Sequence, residues 1–387
     1  MLNQDENNYY RQLVKRYAEN LASDKELEVF FNLLSQGKLD QYLTESMDAS
    51  AAASEKPVAP VVTLTSTRYL RKKFIFSAAA VLILVFVGAY ILFHTNKTTV
   101  SPGIAPSSPV VTTDLPAGRS KAVLVLANGK RVILDSAFNG QLTRQGSTVV
   151  YTKNGQLTYD AGSTTATGEP MFNTVSTAAG ETYTLTLADG SQVYLNSASS
   201  IHFPVVFDGR QRKIGITGEV YIKVAKNPKQ PFIVTAGNVE VLALGTEFNI
   251  NSYENENALT TTLIEGSVRV STGAGSPVIT GNVLLKPGQQ TQLPGNGRLS
   301  AAQYVNTDDV VAWKEGWFRF ESADLKTILR QFARWYDVEV IYDGDIVNRK
   351  FFVVVKRSSS LMTVLEMLKD NNIDYRVEGK KLYVKTH

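Results

Sequence analysis

A charge-free apolar segment constrains this chain more than any other stretch of its sequence. Residues 74–93, FIFSAAAVLILVFVGAYILF, contain no Asp, Glu, Lys or Arg. A helix of twenty residues spans roughly 30 Å, which is the thickness of the hydrocarbon core of a bilayer. A soluble helix of this length normally has a polar face, so a buried core helix is the weaker interpretation. The segment therefore predicts one transmembrane helix.

The residues on either side of this segment predict its orientation. After it, Lys97 is the only basic residue before Thr113. Basic flanks stay in the cytoplasm. We therefore expect the N-terminus in the cytoplasm and residues 94–387 on the other side of the membrane, in a single-pass protein. The basic residues that set this topology precede the segment: Arg68, Arg71, Lys72 and Lys73.

The composition excludes several classes of protein. The chain has no cysteine and three histidines, so thiol catalysis, cysteine-ligated zinc, disulfides and a multi-histidine metal site are not expected. Residues 1–67 carry six basic and ten acidic side chains, a net charge of −4. An acidic segment of this size is not expected to bind nucleic acid directly. We predict no cofactor, no metal and no enzymatic activity.

The N-terminal residues predict a small all-α domain. Apolar residues recur at helical spacing over 5–22, and Ser23 with Glu26 forms a capping-box pattern for a second helix. Fewer than fifty residues bury little core, so these helices either form a tiny bundle or fold around a partner. The apolar side chains of the two helices are Tyr10, Leu13, Val14, Tyr17, Leu21, Leu27, Phe30, Phe31 and Leu34.

The region after the apolar segment predicts strands. AVLVLANGKRVILDS (122–136) turns at Asn128-Gly129, and the same design returns as YTLTLADGSQVYLNS (183–197) with Asp189-Gly190 in the turn. Such turns between alternating segments are strong hairpin signals, and their recurrence indicates an internal repeat. We expect an all-β domain over residues 114–305, either a sandwich or a solenoid of stacked hairpins.

The C-terminal residues 306–387 predict a different module. Two amphipathic helical segments, 323–336 and 359–371, repeat at 36 residues, and strand patterns flank both. We therefore predict an α+β module made of two βαβ halves. The predicted organisation is a helical domain over 1–48, a linker with a basic flank over 49–73, the transmembrane helix over 74–93, a second linker over 94–113, the all-β domain over 114–305 and the module over 306–387.

Several stretches carry a resemblance to a known family. They are LADGSQVYLNSASSIHFP (187–204), GEVYIKV (218–224), PFIVTAGNVEVLALGTEFNINSY (231–253), LIEGSVRV (263–270) and the C-terminal module from residue 313 onward. They resemble FecR-type membrane-bound anti-sigma factors of Bacteroidetes-like bacteria.

This resemblance implies a single-pass protein of a bacterial inner membrane, with residues 94–387, including the linker 94–113, in the periplasm. It implies that this outer part contacts the periplasmic signalling domain of a TonB-dependent outer-membrane receptor, and that the inner helices hold an extracytoplasmic-function sigma factor. The nine apolar residues of the two helices would then be the sigma-factor-binding surface.

A possible self-cleavage site lies within the third of these stretches. The hydroxyl of Thr246 is next to the carbonyl of Gly245, and attack on that carbonyl would move the chain from nitrogen to oxygen, where hydrolysis is easier. Some members of the resembled family are thought to split at the corresponding Gly-Thr. The alternative is that Gly245 only permits a bulge in a strand.

Two other classes of function compete with signal transduction. A membrane-anchored periplasmic adhesin or glycan-binding protein would use the β domain alone, so its function would survive exchange of residues 1–67. An anchored hydrolase lacks a nucleophile–base pair in the sequence. The small residues within 74–93 also fit local helix unwinding, so a membrane protease is a further expected partner that would free residues 1 to about 80.

Overall fold

A computed structural model gives the fold of most of the chain outside its apolar segment. It describes residues 4–18, 24–35, 38–39, 41–43, 45, 114–135, 138–160, 170–273, 281–295, 297–347, 349–369 and 371–386. The predicted transmembrane helix, both predicted linkers and the four basic flanking residues lie outside these residues. Among the described residues, no helix is long and apolar enough to cross a membrane.

The described elements are mostly strands. The helices are α1 Gln4–Ala18, α2 Asp24–Ser35, α3 Thr307–Val311, α4 Leu325–Tyr336 and α5 Leu361–Lys369. The strands of the β domain are β1 Arg119–Val125, β2 Arg131–Asp135, β3 Gly140–Gln145, β4 Thr148–Lys153, β5 Gln156–Asp160, β6 Phe172–Ser176, β7 Glu181–Thr186, β8 Gln192–Leu195, β9 Ser200–Pro204, β10 Arg212–Lys223, β11 Phe232–Ala236, β12 Val239–Ala243, β13 Glu247–Ser252, β14 Ala258–Glu265, β15 Val268–Thr272, β16 Gly281–Leu285, β17 Gln289–Pro294 and β18 Gln303–Tyr304. The strands of the C-terminal module are β19 Trp317–Asp324, β20 Glu339–Tyr342, β21 Lys350–Lys356, β22 Ile373–Glu378 and β23 Lys381–Thr386.

The β domain consists of two sheets around one apolar core. The first sheet runs in the order β2-β1-β6-β9-β10-β11-β12-β15-β16, and the second in the order β3-β4-β5-β7-β8-β10-β13-β14-β17-β18. Successive hairpins alternate between the sheets, as β11–β12, β13–β14 and β15–β16 do. Both interpretations left open by the sequence therefore describe part of this domain, because stacked hairpins build two layers that share a core.

The long strand β10 belongs to both sheets. Its first half pairs with β9 and β11, and its second half pairs with β8 and β13. The change occurs at Gly218, where φ is +78°. A Cβ atom there would lie 2.4 Å from the Ser199 hydroxyl and 2.8 Å from the Ala198 carbonyl oxygen. The strand can change sheets here because glycine adopts positive φ and leaves room for the neighbouring backbone.

The two hairpins of the internal repeat are confirmed. β1 pairs with β2 and β7 pairs with β8, each in antiparallel register. Gly129 and Gly190 take positive φ in the turns, and each donates its N–H to a leucine carbonyl three residues earlier. The two copies lie in opposite sheets, so the repeat supplies one hairpin to each layer.

The C-terminal module corrects part of the predicted fold class. The 36-residue repeat of its two helices is present, with Leu325, Leu329, Leu361 and Leu365 fully buried. In a βαβ unit, however, the two strands beside the helix lie parallel in one sheet. Here β19 pairs antiparallel with β21, while β20 pairs parallel with β23, which also pairs with β22. The prediction of two βαβ halves is therefore wrong, because each half contributes its strands to two different sheets.

The N-terminal helices correct the rest of the predicted fold class. Their apolar faces pack together and also against Leu244, with Leu242 and Leu284 of the first sheet alongside. The prediction of a separate all-α domain is wrong, because the described helices share this core with the β domain. As a whole, the described chain is mostly β-sheet with few helices, and it contains no candidate transmembrane helix.

Candidate functional site

A buried carboxylate lies where the β domain meets the C-terminal module. Glu219 in β10 accepts hydrogen bonds from the Nδ2 atoms of Asn196 at 2.8 Å and Asn249 at 3.1 Å. The Asn196 Oδ1 accepts from Arg357 of the module at 3.0 Å, and the Asn249 Oδ1 accepts from the Trp313 indole at 3.3 Å. We call these five residues the joint. Each amide links the carboxylate on one side to the module on the other.

Burial changes the acidity of both charged groups in the joint. It raises the pKa of Glu219 above its ordinary value of 4.5, and the two amide donors and the nearby guanidiniums of Arg334 and Arg357 act against this rise. Burial also lowers the pKa of Arg357 to about 10, so the guanidinium stays charged at neutral pH. Its plane lies over the Trp335 ring, 4.0 Å from the centroid. The joint thus holds a carboxyl group and a charged guanidinium in a buried site, bridged by neutral amides.

A second ion-pair contact reinforces the joint. Glu256, in the loop between β13 and β14, receives Arg330 at 2.7 Å and Arg334 at 2.5 Å from helix α4. Arg334 also lies over the ring of Tyr253, 4.1 Å from its centroid. A carboxylate held by two arginines on one helix face fixes the rotation of α4 relative to the β domain.

The chain that enters the β domain runs first across the module. The backbone N–H of Leu361 donates to the carbonyl of Leu115, and the Met362 N–H donates to the Asp114 carboxylate. A Cβ atom at Gly118 would lie 2.7 Å from the Trp335 ring, so only glycine fits there. Residues 114–118, which we call the entry segment, are therefore held between the two parts.

A cleft opens beside the joint. It has a volume of about 440 Å³, and its lining includes Glu219, Asn249 and Gln331 together with Trp313 and Trp317. Trp313 is buried, as expected for a residue at a domain junction, whereas Trp317 is partly exposed. Among the described residues, no three carboxylate or imidazole groups are arranged to hold a metal ion.

The structure brings most of the predicted sigma-factor-binding residues into one cluster. Tyr10, Leu13, Val14, Phe30 and Leu34 are buried, and the ring of Tyr17 stacks on Phe30 with centroids 4.1 Å apart. The cluster is completed by Leu39, Tyr42, Leu43 and Leu244. The side chains of Leu27 and Phe31, and all of Leu21, lie outside the described part of the chain. Their assignment to sigma-factor binding stays a prediction.

The predicted self-cleavage site lies in the crossover between the sheets. Gly245 and Thr246 connect β12 of the first sheet to β13 of the second, and φ at Gly245 is +157°. The Thr246 hydroxyl is buried, with no hydrogen-bond partner among the described residues. A Cβ atom at Gly245 would lie 2.5 Å from Lys226 Cγ. Gly245 does not sit in a strand bulge, since the register shift of this pairing lies at Glu247 and Phe248.

The joint was not predicted from the sequence. The sequence offers one indication, the carboxylate Glu219 in GEVYIKV, which stands next to an uninterrupted apolar run. Alternation along the strand does not decide whether this side chain faces the core or the solvent. Its partners are 23, 30 and 138 residues away along the chain at Asn196, Asn249 and Arg357. A single sequence carries no information on which distant amides and guanidinium a buried carboxylate will meet.

Glu219→Gln tests the joint through pH dependence. The folded pKa of Glu219 lies above its unfolded value, so the folded state holds the extra proton and wild-type stability falls as the pH rises from about 4.5 through the folded pKa. Glutamine has no such slope. It also turns an amide donor toward an asparagine donor, so we expect a loss of about 1–3 kcal/mol at pH 7.

The difference between wild type and Glu219→Gln should therefore be larger at pH 4.5 than at pH 8. Urea unfolding of the full chain, followed by tryptophan fluorescence, measures it at each pH. The matched control is Glu254→Gln, the same change at an exposed position. Equal pH slopes for wild type and Glu219→Gln would contradict the raised pKa.

Comparisons with known proteins agree with this architecture. The FecR protein family model matches residues 173–269, and the model of the FecR C-terminal domain matches residues 317–384. No curated protein matches the chain.

Two crystal structures, at 2.50 and 1.65 Å resolution, of a candidate anti-sigma factor from Parabacteroides distasonis ATCC 8503 have a similar fold. Each is 24% identical to the chain with a TM-score of 0.50; they cover 56% and 55% of this chain and 99% of their own. The chain therefore contains a FecR domain followed by a FecR C-terminal domain, joined through a buried polar network.

Proposed function

We propose that the chain is an anti-sigma factor that transmits a signal across the bacterial inner membrane. The observation that carries this proposal is the order of its parts: a pair of amphipathic helices, a charge-free segment, a FecR domain and a FecR C-terminal domain. The similar crystal structures come from a protein described as a candidate anti-sigma factor, which supports the same function.

The proposed signal passes through three compartments. The periplasmic signalling domain of a TonB-dependent outer-membrane receptor contacts the FecR domains, and the helices respond by releasing or activating an extracytoplasmic-function sigma factor in the cytoplasm. The basic residues before the segment 74–93 support this orientation. The joint supports the periplasmic part of this proposal, because its hydrogen bonds couple the β domain to the C-terminal module.

The apolar helix faces supply the sigma-factor surface in this proposal. They are buried against one another and against Leu244 of the β domain. In the structure the helices pack on the β domain, whereas the proposed topology separates the two by a membrane, so the contact with Leu244 would not form in that topology. The apolar surface that it covered is then open to a cytoplasmic partner, and helix faces of this kind are commonly buried in a partner's groove.

Loss of sigma-factor binding is expected when charges enter the helix faces. The double variant Leu13→Asp, Leu34→Asp places two carboxylates in an apolar contact, and burying an unpaired charge is costly. Co-purification with extracytoplasmic-function sigma factors of the same genome, co-expressed one at a time, should fall at least about tenfold, which corresponds to 1.4 kcal/mol. Helix content is checked by circular dichroism.

The control for this variant is Leu242→Asp, which charges the β-domain side of the same cluster. It should leave sigma-factor binding unchanged. Persistent binding by the helix variant would mean that the helix faces only pack against one another.

The proposed topology is testable because the chain has no cysteine of its own. Cysteine can be placed at Tyr9 in α1 or at Phe352 in β21, both of which are exposed. In cells with a permeabilised outer membrane, a maleimide that does not cross the inner membrane should label Phe352→Cys and leave Tyr9→Cys unmodified until lysis. Labelling of both before lysis would place the helices beside the β domain and refute the topology.

Self-cleavage at Gly245-Thr246 is a second candidate function, favoured by the unpartnered Thr246 hydroxyl. Its oxygen attacks the Gly245 carbonyl carbon, the amide nitrogen leaves as the amine of Thr246, and an ester joins the two residues. Water then hydrolyses the ester, leaving a carboxylate on Gly245. The positive φ of Gly245 is the local backbone feature that would assist attack.

Intact-mass analysis and a denaturing gel detect the expected fragments, 1–245 and 246–387. Thr246→Ser keeps a hydroxyl and should still split, whereas Thr246→Ala should stay whole. The control Thr261→Ala removes another buried, unpartnered hydroxyl of the same domain and should split like the wild type. A wild-type chain that is always intact excludes this chemistry.

A further inference from the structure

Three large apolar side chains are exposed on the outer face of the two-stranded sheet in the C-terminal module. Charged side chains share that face, with Arg319 opposite Val354 and Lys350 and Lys356 at the ends of β21. Phe352 and Val354 of β21 are 71% and 45% exposed, and Trp317 of β19 is 37% exposed. The opposite face of the same strands already fills the module core, with Phe318 and Phe351 buried. Strands that cover a core on one side normally carry polar residues on the other, so three large exposed apolar side chains on this face mark an interaction surface.

One edge of this sheet is open. β21 pairs with β19 from Trp317 opposite Lys356 to Asp324 opposite Lys350, with a register shift between Phe320 and Ala323. Among the described residues β21 pairs with no other strand, so its second edge is unpaired. An unpaired edge next to exposed apolar side chains is the geometry onto which an extended peptide adds as a further strand.

Basic side chains stand at both ends of β21. Arg349 and Lys350 precede the apolar residues, and Lys356 follows them. The Lys350 ammonium is 3.9 Å from Asp324 and 59% exposed, and Lys356 lies over the Trp317 ring at 5.5 Å. The two ends of the strand therefore present positive charge to whatever pairs with it.

The positive charges at both ends of β21 indicate which kind of segment can pair with it. If a second copy of the chain paired antiparallel through the same edge and centred on Val353, Lys350 would lie opposite Lys356 at both ends. Like charges directly opposite each other destabilise a strand pair. An extended segment with carboxylates at both ends would instead meet a cation at each end.

We propose that the open edge of β21 binds an extended partner segment whose apolar residues are flanked by carboxylates. The main chain of that segment pairs with β21, its apolar side chains cover Phe352, Val354 and Trp317, and its carboxylates meet Lys350 and Lys356. The inference rests on the proposed function in that it identifies the input surface of the transducer, but it is tested without the sigma factor.

The test uses two synthetic peptides with the same core of alternating valine and threonine. One has two glutamates at each end, and the other has two lysines. Fluorescence anisotropy measures binding to the full chain in detergent micelles. The wild type should bind the glutamate peptide at least about tenfold more tightly than the lysine peptide, a difference of 1.4 kcal/mol.

Three variants sharpen this test. Lys350→Glu with Lys356→Glu should reverse the preference, so that the lysine peptide binds more tightly. Phe352→Thr keeps strand propensity, removes the apolar contact and should weaken glutamate-peptide binding about tenfold. The control Ile133→Thr changes an equally exposed residue on β2, the edge strand of another sheet, and should have no effect.

Equal binding of both peptides, no binding of either, or no reversal by the charge-swapped variant would overturn the proposal. Two further measurements would identify a different binding partner for this face. Flotation with vesicles containing anionic lipid, abolished by Phe352→Thr, would assign the face to a membrane. Sedimentation showing a dimer that Phe352→Thr dissociates would assign it to a second copy.

Sigma-factor co-purification with the same variants separates this inference from the proposed function. If the charge-swapped variant still co-purifies with the sigma factor and neither peptide binds the chain, the β21 surface is refuted and the proposed function is not. If the peptides bind as expected but the chain co-purifies with no sigma factor, the proposed function is refuted and the β21 surface is not.

Discussion

A single buried carboxyl group, that of Glu219, holds the β domain and the C-terminal module together from the wall of a cleft. Glu219 cannot remain buried and ionised unless Asn196 and Asn249 donate to it, and those amides are oriented by Arg357 and Trp313 of the C-terminal module. Breaking one partner of a buried charged network typically costs about 3–5 kcal/mol. The β domain and the module therefore form one mechanical body, and a partner that binds the module acts on both.

The β domain provides the stiffness that such a body needs. Its chain passes between the two sheets at nearly every hairpin, so each layer is tied to the other by covalent connections as well as by the shared core. The long strand β10 makes the most direct of these connections and carries Glu219 just after its change of sheet at Gly218. The carboxylate thus stands on the element that is least free to move.

Local features were predictable from the sequence, and long-range pairings were not. Asn128-Gly129 fixes its hairpin through backbone preferences of two residues, and the helix around Leu325 and Leu329 follows from apolar spacing within one segment. The exchange of strands in the C-terminal module could not be predicted, because strand–helix–strand spacing is the same whether β20 joins β19 or β23. The packing of the N-terminal helices on Leu244 could not be predicted either, because an apolar stripe on a helix does not specify which surface covers it. The joint combines both difficulties, since its polar partners are distant in sequence and make no repeating pattern.

The entry segment determines how a force on the chain would be carried. Residues that connect toward the apolar segment 74–93 reach the folded body at Asp114 and Leu115, which bond to the first residues of α5, and not at a strand of the β domain. Tension applied from that side therefore loads the C-terminal module first, and it reaches β1 only beyond Gly118, where the backbone is wedged against Trp335. The C-terminal module is consequently the part of the folded chain that holds residues 114–115, and it also carries the β21 edge, so a force on the incoming chain and a partner on that edge would act on the same module.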